Sequence, residues 1–234
     1  MPALFIFRNL IIMKMNRHTK AFIANGVLAL LELFSVTWMM SGLSKGILSG
    51  GGFRVLKYFT IDSNIYLGIV SFLAALELFR VRKGKKKEVS TFIYLLKLSG
   101  TAAVAVTMLV TVFFLEPTLG KTFGYFALFA NANLFLHLLN PLAAILTWIC
   151  FEKNNVLSLK DVVLTTIPTL LYAIWYVIEV FRHTKNGVIQ KGYDWYGFFA
   201  LGLKSAIIVM PLFLLFTYLV CLLLYKTGKK RQHH

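Results

Sequence analysis

The stretch AFIANGVLALLELFSVTWMMSGL, residues 21–43, decides the fold class. Glu32 is its only charged side chain, and a helix of this length crosses the roughly 30 Å hydrocarbon core of a bilayer. Backbone amides in lipid must be paired within their own segment, so such a run predicts a transmembrane α-helix. The pattern recurs at about 58–80, 91–115, 131–152, 162–182 and 197–225. Together these runs predict an all-α polytopic membrane bundle of about six helices, a single domain over residues 21–226. A basic, amphipathic segment precedes it at 1–20 and a basic tail follows at 227–234.

Composition agrees. The chain is 58% hydrophobic and 15% charged, with a mean hydropathy of +0.73. A water-soluble domain of this make-up would expose large apolar patches and aggregate. A net charge of +16 would suit a nucleic-acid binder, but the basic residues fall between the apolar runs, where membrane proteins carry topogenic charge. No nucleic-acid partner is therefore implied. Arg8, Lys14, Arg17 and Lys20, the six Lys and Arg of RVRKGKKK (80–87), Lys153, Lys160 and the tail Lys226, Lys229, Lys230 and Arg231 make sixteen on one side. The alternate connections hold seven: Lys45, Arg54, Lys57, Lys121, Arg182, Lys185 and Lys191. This asymmetry puts both termini in the cytoplasm. Residues 3–13, ALFIFRNLIIM, are too short to span, and the basic residues follow them, the wrong order for a signal peptide. Met13 and Met15 are alternative starts; otherwise the segment lies along the membrane surface. Cys150 and Cys221 have no metal-ligand spacing and read as packing residues.

Polar side chains inside spans are costly in lipid and become the functional candidates. The second helix enters from the outer side with Thr60, Asp62 and Asn64 in its first two turns; Thr60 and Asn64 share a face and Asp62 does not. The fourth enters from the same side with Asn133, His137 and Pro141 on one stripe and Asn140 at its edge. Tyr172, Tyr176 and Glu179 line the outer end of the fifth, and Lys204 lies in the outer half of the sixth. Four helices thus bring polar groups to one depth, where they can form a pocket. Each also has a structural role open to it: threonine bonds its own helix, asparagines join helices, and Glu179 neutralises Lys204. Glu32, deep in the first helix, is expected to be protonated or hydrogen-bonded inside the bundle, and Glu77 and Lys97 to pair or snorkel at the inner side. GTAAVAV (100–106) supplies small residues for close helix contact.

KYFTIDSN (57–64) and NANLFLHLLNPLAAILTWICFE (131–152) resemble the androgen-induced-gene/FAR-17a family of six-span membrane proteins. The chain is also similar to small bacterial six-span proteins of the Pr6Pr type. The first family hydrolyses fatty-acid esters of hydroxy fatty acids with an intramembrane threonine and histidine. The threonine, after a lysine–tyrosine pair, matches Thr60; the histidine matches His137, with Asn133, Pro141 and Glu152 around it. The chain departs from the family at Leu134, where a second histidine is usual. The resemblance implies an intramembrane lipid ester hydrolase. Thr60 would be the nucleophile and His137 the base, with Asn64 or Asn133 at the oxyanion, Asp62 or Glu179 orienting the imidazole, and Tyr176 in the pocket. The expected partners are membrane lipids or a fatty-acyl ester in the plasma membrane, with no cofactor and no metal, since HExxH, CxxC and phosphate-loop patterns are missing from the sequence. The alternative is a non-enzymatic membrane protein, a small transporter or lipid-binding protein, using the same outer pocket.

Overall fold

The computed structural model describes residues 16–124, 126–152, 156–190, 192–199, 202 and 206–230. Six helices long and apolar enough to cross a membrane make an all-α polytopic bundle. They are α1 (Arg17–Met40), α2 (Phe59–Arg82), α3 (Thr91–Phe123), α4 (Ala132–Phe151), α5 (Leu159–Arg182) and α6 (Ala206–Lys230). An even number of crossings returns the chain to the face it left. Of the separate segment expected at 1–20, residues 1–15 lie outside the described residues, as does Lys204, while Arg17–Lys20 already form the first turn of α1.

The core sits on α3. Its apolar window is 61% buried, against 22–39% for the other five helices, so α3 is the axis around which they pack. Lipid tails are as apolar as leucine, so helices associate through close van der Waals packing, which small side chains allow. Ser99, Gly100, Thr101, Ala102, Ala103 and Ala105 form that surface on α3, all buried. A Cβ on Gly100 would stand 3.1 Å from Val70 Cγ2 and 3.4 Å from the Leu67 Cα of α2. Gly100→Val is accordingly expected to cost about 1–3 kcal/mol by overpacking, read as a lowered unfolding midpoint in detergent.

Polarity runs inside out. The inward face of α1 carries Asn25, Leu28, Glu32, Ser35 and Met39, while Leu30, Leu33 and Phe34 face lipid. Glu32 is 1% exposed and, as expected, hydrogen-bonded within the bundle; Gly68 of α2 makes room for it, since a Cβ there would lie 3.0 Å from Glu32 Cβ. The expected Glu77–Lys97 pair does not form. Glu77 is taken by Lys86 at 2.5 Å and by the Ser90 amide at 2.7 Å, and Lys97 points into the core.

Prolines correct two of the expected spans. Proline has no N–H and its ring collides with the carbonyl four residues back. Pro117 and Pro141 are each preceded by a widened turn, Thr111–Leu115 and Phe135–Leu139, with the Glu116 amide bonded to Thr111 O and the Asn140 amide to Phe135 O. The chain thereby stays helical through Pro117 and carries α3 to Phe123, eight residues beyond the expected edge. The fifth helix begins at Leu159 and breaks at Thr165–Thr166, just before Pro168. The expected start of the sixth at 197 is also corrected. Gly192, Gly197 and Gly202 all have positive φ, so the described residues of 192–202 are turns, not helix. A two-stranded hairpin, Thr184–Lys185 with Val188–Ile189, precedes them.

Candidate active site

Thr60 stands in the first turn of α2, and the loops around it hold that turn in place. Tyr172 of α5 donates its hydroxyl to the Lys57 carbonyl at 2.6 Å, and the Phe59 amide donates to the Tyr196 hydroxyl at 2.7 Å. Trp195 donates to Tyr172 at 3.2 Å, closing an aromatic clamp over residues 57–59. Burial pushes the Tyr196 phenol well above its ordinary value, so it stays an uncharged hydroxyl.

His137 comes from α4 within the widened turn that Pro141 imposes. It is 4% exposed. Its Nδ1 lies 3.2 Å from the Asn133 carbonyl and its Nε2 lies 3.4 Å from Thr60 Oγ1. A carbonyl only accepts, so Nδ1 carries the proton of the neutral ring and Nε2 presents a lone pair to the threonine hydroxyl. The 3.4 Å separation exceeds a well-formed O–H···N bond, as is common in unliganded sites whose contacts tighten on substrate. The ring is thus oriented by a backbone carbonyl one turn away, and no carboxylate is needed for the tautomer.

The surrounding expectations separate. Asn133 and His137 line, with Thr60, a cavity of about 110 Å³ whose walls also include Met39, Tyr58 and Trp195. Tyr176 lines a second, apolar cavity of about 50 Å³ on the other side of Thr60, with Val106, Val110, Phe198 and Phe213. Thr60, Leu115 and Tyr196 border both. Asp62 does not orient His137: it points the other way, into a cleft with Tyr66, Tyr172 and Trp175. Glu179 does not either, since it faces Arg182 at 3.4 Å and His183 at 3.7 Å at the C-terminal end of α5.

Asn64 offers no oxyanion donor, whereas Asn133, which lines the cavity with Thr60 and His137, commits one of its two amide hydrogens elsewhere. The Asn64 amide gives its hydrogens to the Thr60 carbonyl at 2.6 Å and the Leu136 carbonyl at 3.2 Å, tying α2 to α4. Asn133 donates to the Ile47 carbonyl at 2.8 Å. The better donor is the amide of Thr60 itself. It belongs to the first turn of a 24-residue helix, where intrahelical acceptors run out and the dipole favours negative charge. Tyr196, Trp195 and Leu115 were missed by sequence reasoning, because nothing in a local pattern links them to Thr60.

Comparison with protein-family models, with curated proteins and with solved structures finds no match to this chain.

Proposed function

We propose that this integral multi-pass membrane protein is a hydrolase of fatty-acyl esters in the plasma membrane, with Thr60 as nucleophile and His137 as general base. The observation that carries it is the alignment of Thr60 Oγ1 with the unprotonated Nε2 of a buried histidine whose other nitrogen is held by a carbonyl. As Oγ1 attacks the ester carbonyl carbon, its proton passes to Nε2, and the Thr60 amide stabilises the oxyanion. The alcohol leaves with the proton from Nε2, giving an acyl-threonine. Water then attacks the acyl carbon, again through His137, and the carboxylic acid departs with Thr60 restored. The apolar cavity beyond Thr60, lined by Val106, Val110, Phe198 and Phe213, gives the first carbons of an acyl chain an apolar surface. No step calls for a metal or cofactor.

A second reading is a non-enzymatic lipid-binding protein or small transporter using the same pocket. In its favour, both amide hydrogens of Asn64 and one of Asn133's are given to backbone carbonyls, as in residues that hold helices together. Labelling separates the two. A fluorophosphonate probe on the detergent-purified protein is expected to modify the peptide containing Thr60, detected by mass spectrometry, with labelling lost in Thr60→Ala and strongly reduced in His137→Ala. Equal labelling of all three proteins would leave the binding role.

A further inference from the structure

Below the threonine–histidine pair, a column of buried polar side chains runs down the bundle interior to an exposed arginine, Arg17, at its inner face. At the foot, Arg17 donates to the Glu152 carbonyl at 2.5 Å, and Asn25 donates to Glu152 Oε1 at 2.6 Å. Next stands Lys97 of α3, 0% exposed, bonded to Ser71 of α2 at 2.6 Å and within electrostatic reach of both Glu152 and Glu32. Thr101 lies one turn further out on the face of Lys97. Above it, Asn140 donates to Glu32 Oε2 at 2.8 Å, to Ser35 Oγ at 2.9 Å and to Asn64 Oδ1 at 3.4 Å. Asn64 in turn reaches the Thr60 carbonyl. Glu152, Lys97 and Glu32 thus follow one another away from the inner face, none more than 2% exposed, with about 10 Å of helical rise between Asn25, which holds Glu152, and Glu32.

The donors in this column do not satisfy its acceptors. Among the described residues, seven buried side-chain oxygens have no bonding partner, and five lie on this line: Asn25 Oδ1, Thr101 Oγ1, Glu32 Oε1, Asn140 Oδ1 and, beside His137, Asn133 Oδ1. Thr101 is telling, because a helical threonine ordinarily bonds the carbonyl one turn back, as Thr107 does at 3.2 Å. A buried oxygen left unpaired costs about 1–3 kcal/mol, so five in one line call for donors that are not side chains. Water is the donor that buried, unpaired polar groups ordinarily recruit, making two to four hydrogen bonds at each position. Carboxylates and an amine at intervals bridged by water are the parts of an intramembrane proton relay.

We propose that this column is a hydrated proton path linking the cytoplasmic face, at Glu152, to the outer cavity at His137, so that the protein carries protons across the membrane independently of any ester chemistry. Each group returns to its starting state after one passage. Glu152 gains a proton from the inner side and passes it on; Lys97, holding its ammonium between two carboxylates, hands one of its protons through water to Glu32 and is reprotonated from Glu152. Glu32 releases its proton through the waters at Asn140 and Asn133 to the outer cavity. The reverse sequence serves the opposite gradient.

The test uses the full chain in phospholipid vesicles loaded with a pH-sensitive dye, with a potassium diffusion potential set by valinomycin as the driving force. Wild type is expected to acidify or alkalinise the lumen, according to the sign of the potential, faster than protein-free vesicles. Glu32→Gln and Thr101→Val are expected to fall to the protein-free rate. Thr101→Val is isosteric and removes one unpaired oxygen, so it decides the matter if Glu32→Gln fails to reconstitute as a monodisperse protein. A wild-type rate equal to that of empty vesicles overturns the proposal, and so does a wild-type rate in whichever of the two variants reconstitutes.

Discussion

Thr60→Ala is expected to abolish turnover of a fatty-acyl p-nitrophenyl ester while leaving the folded bundle intact. In hydrolases built on a nucleophile and its base, removing either lowers kcat by as much as about 10⁶, and removing both costs little more. Loss of about 10³ or greater is expected here for Thr60→Ala and for His137→Ala, with the double variant no worse than either alone. Thr60→Ser keeps a hydroxyl in the same place and should retain measurable turnover. The stability side is as specific. The Thr60 hydroxyl makes one contact, 3.4 Å to Nε2, so its removal should cost no more than about 1 kcal/mol. Its backbone stays gripped by Asn64 and by the aromatic clamp. Turnover by Thr60→Ala at the wild-type rate would end the hydrolase proposal, and lost activity accompanied by a collapsed melting transition would point to packing instead.

The largest loss of stability is expected from Asn140→Leu. Asn140 is 0% exposed, and its single amide group faces acceptors on α1 and α2 at once: Glu32, Ser35 and Asn64. Leucine fills a similar volume but gives no hydrogen bond, so a buried carboxyl and two neutral oxygens lose their donor together. At about 1–3 kcal/mol for an unpaired buried group, tempered by the ~0.6 kcal/mol mean for interhelical bonds in membranes, the expected cost is about 2–4 kcal/mol. Unfolding in mixed micelles measures it. Adding Glu32→Gln should recover part of the loss, because the most demanding acceptor has gone, so the two changes will combine sub-additively. Additive effects would show that Asn140 acts elsewhere, and a cost below about 0.5 kcal/mol for Asn140→Leu alone would show that the junction carries little stability.

Hydropathy located the helices because lipid imposes one rule on every spanning residue, and that rule is local. It could not set their edges where proline intervened. The third span was expected to end at about 115, yet a widened turn absorbs Pro117 and α3 continues to Phe123. Spacing along one helix placed Thr60 and His137 at a common depth, and neighbouring elements did bring them together. The same logic grouped Asp62 and Glu179 with them wrongly. Depth is shared by every side of a bundle, and these two carboxylates face other clefts or other partners. Lys97 was read as an inner-edge charge because position along α3 reveals height but not whether a face meets lipid or core; α3 is buried on nearly all sides.

What the amino-acid order determined alone was the membrane, the six crossings and the height of each polar side chain along its helix, since these follow from hydropathy and helical rise. Which polar groups touch was decided only when the helices packed. Rotation of each helix about its own axis is set by small residues, prolines and interhelical hydrogen bonds acting together, and no single segment contains that information. The tautomer of His137, the clamp on Thr60 and the buried column below them are consequences of that packing.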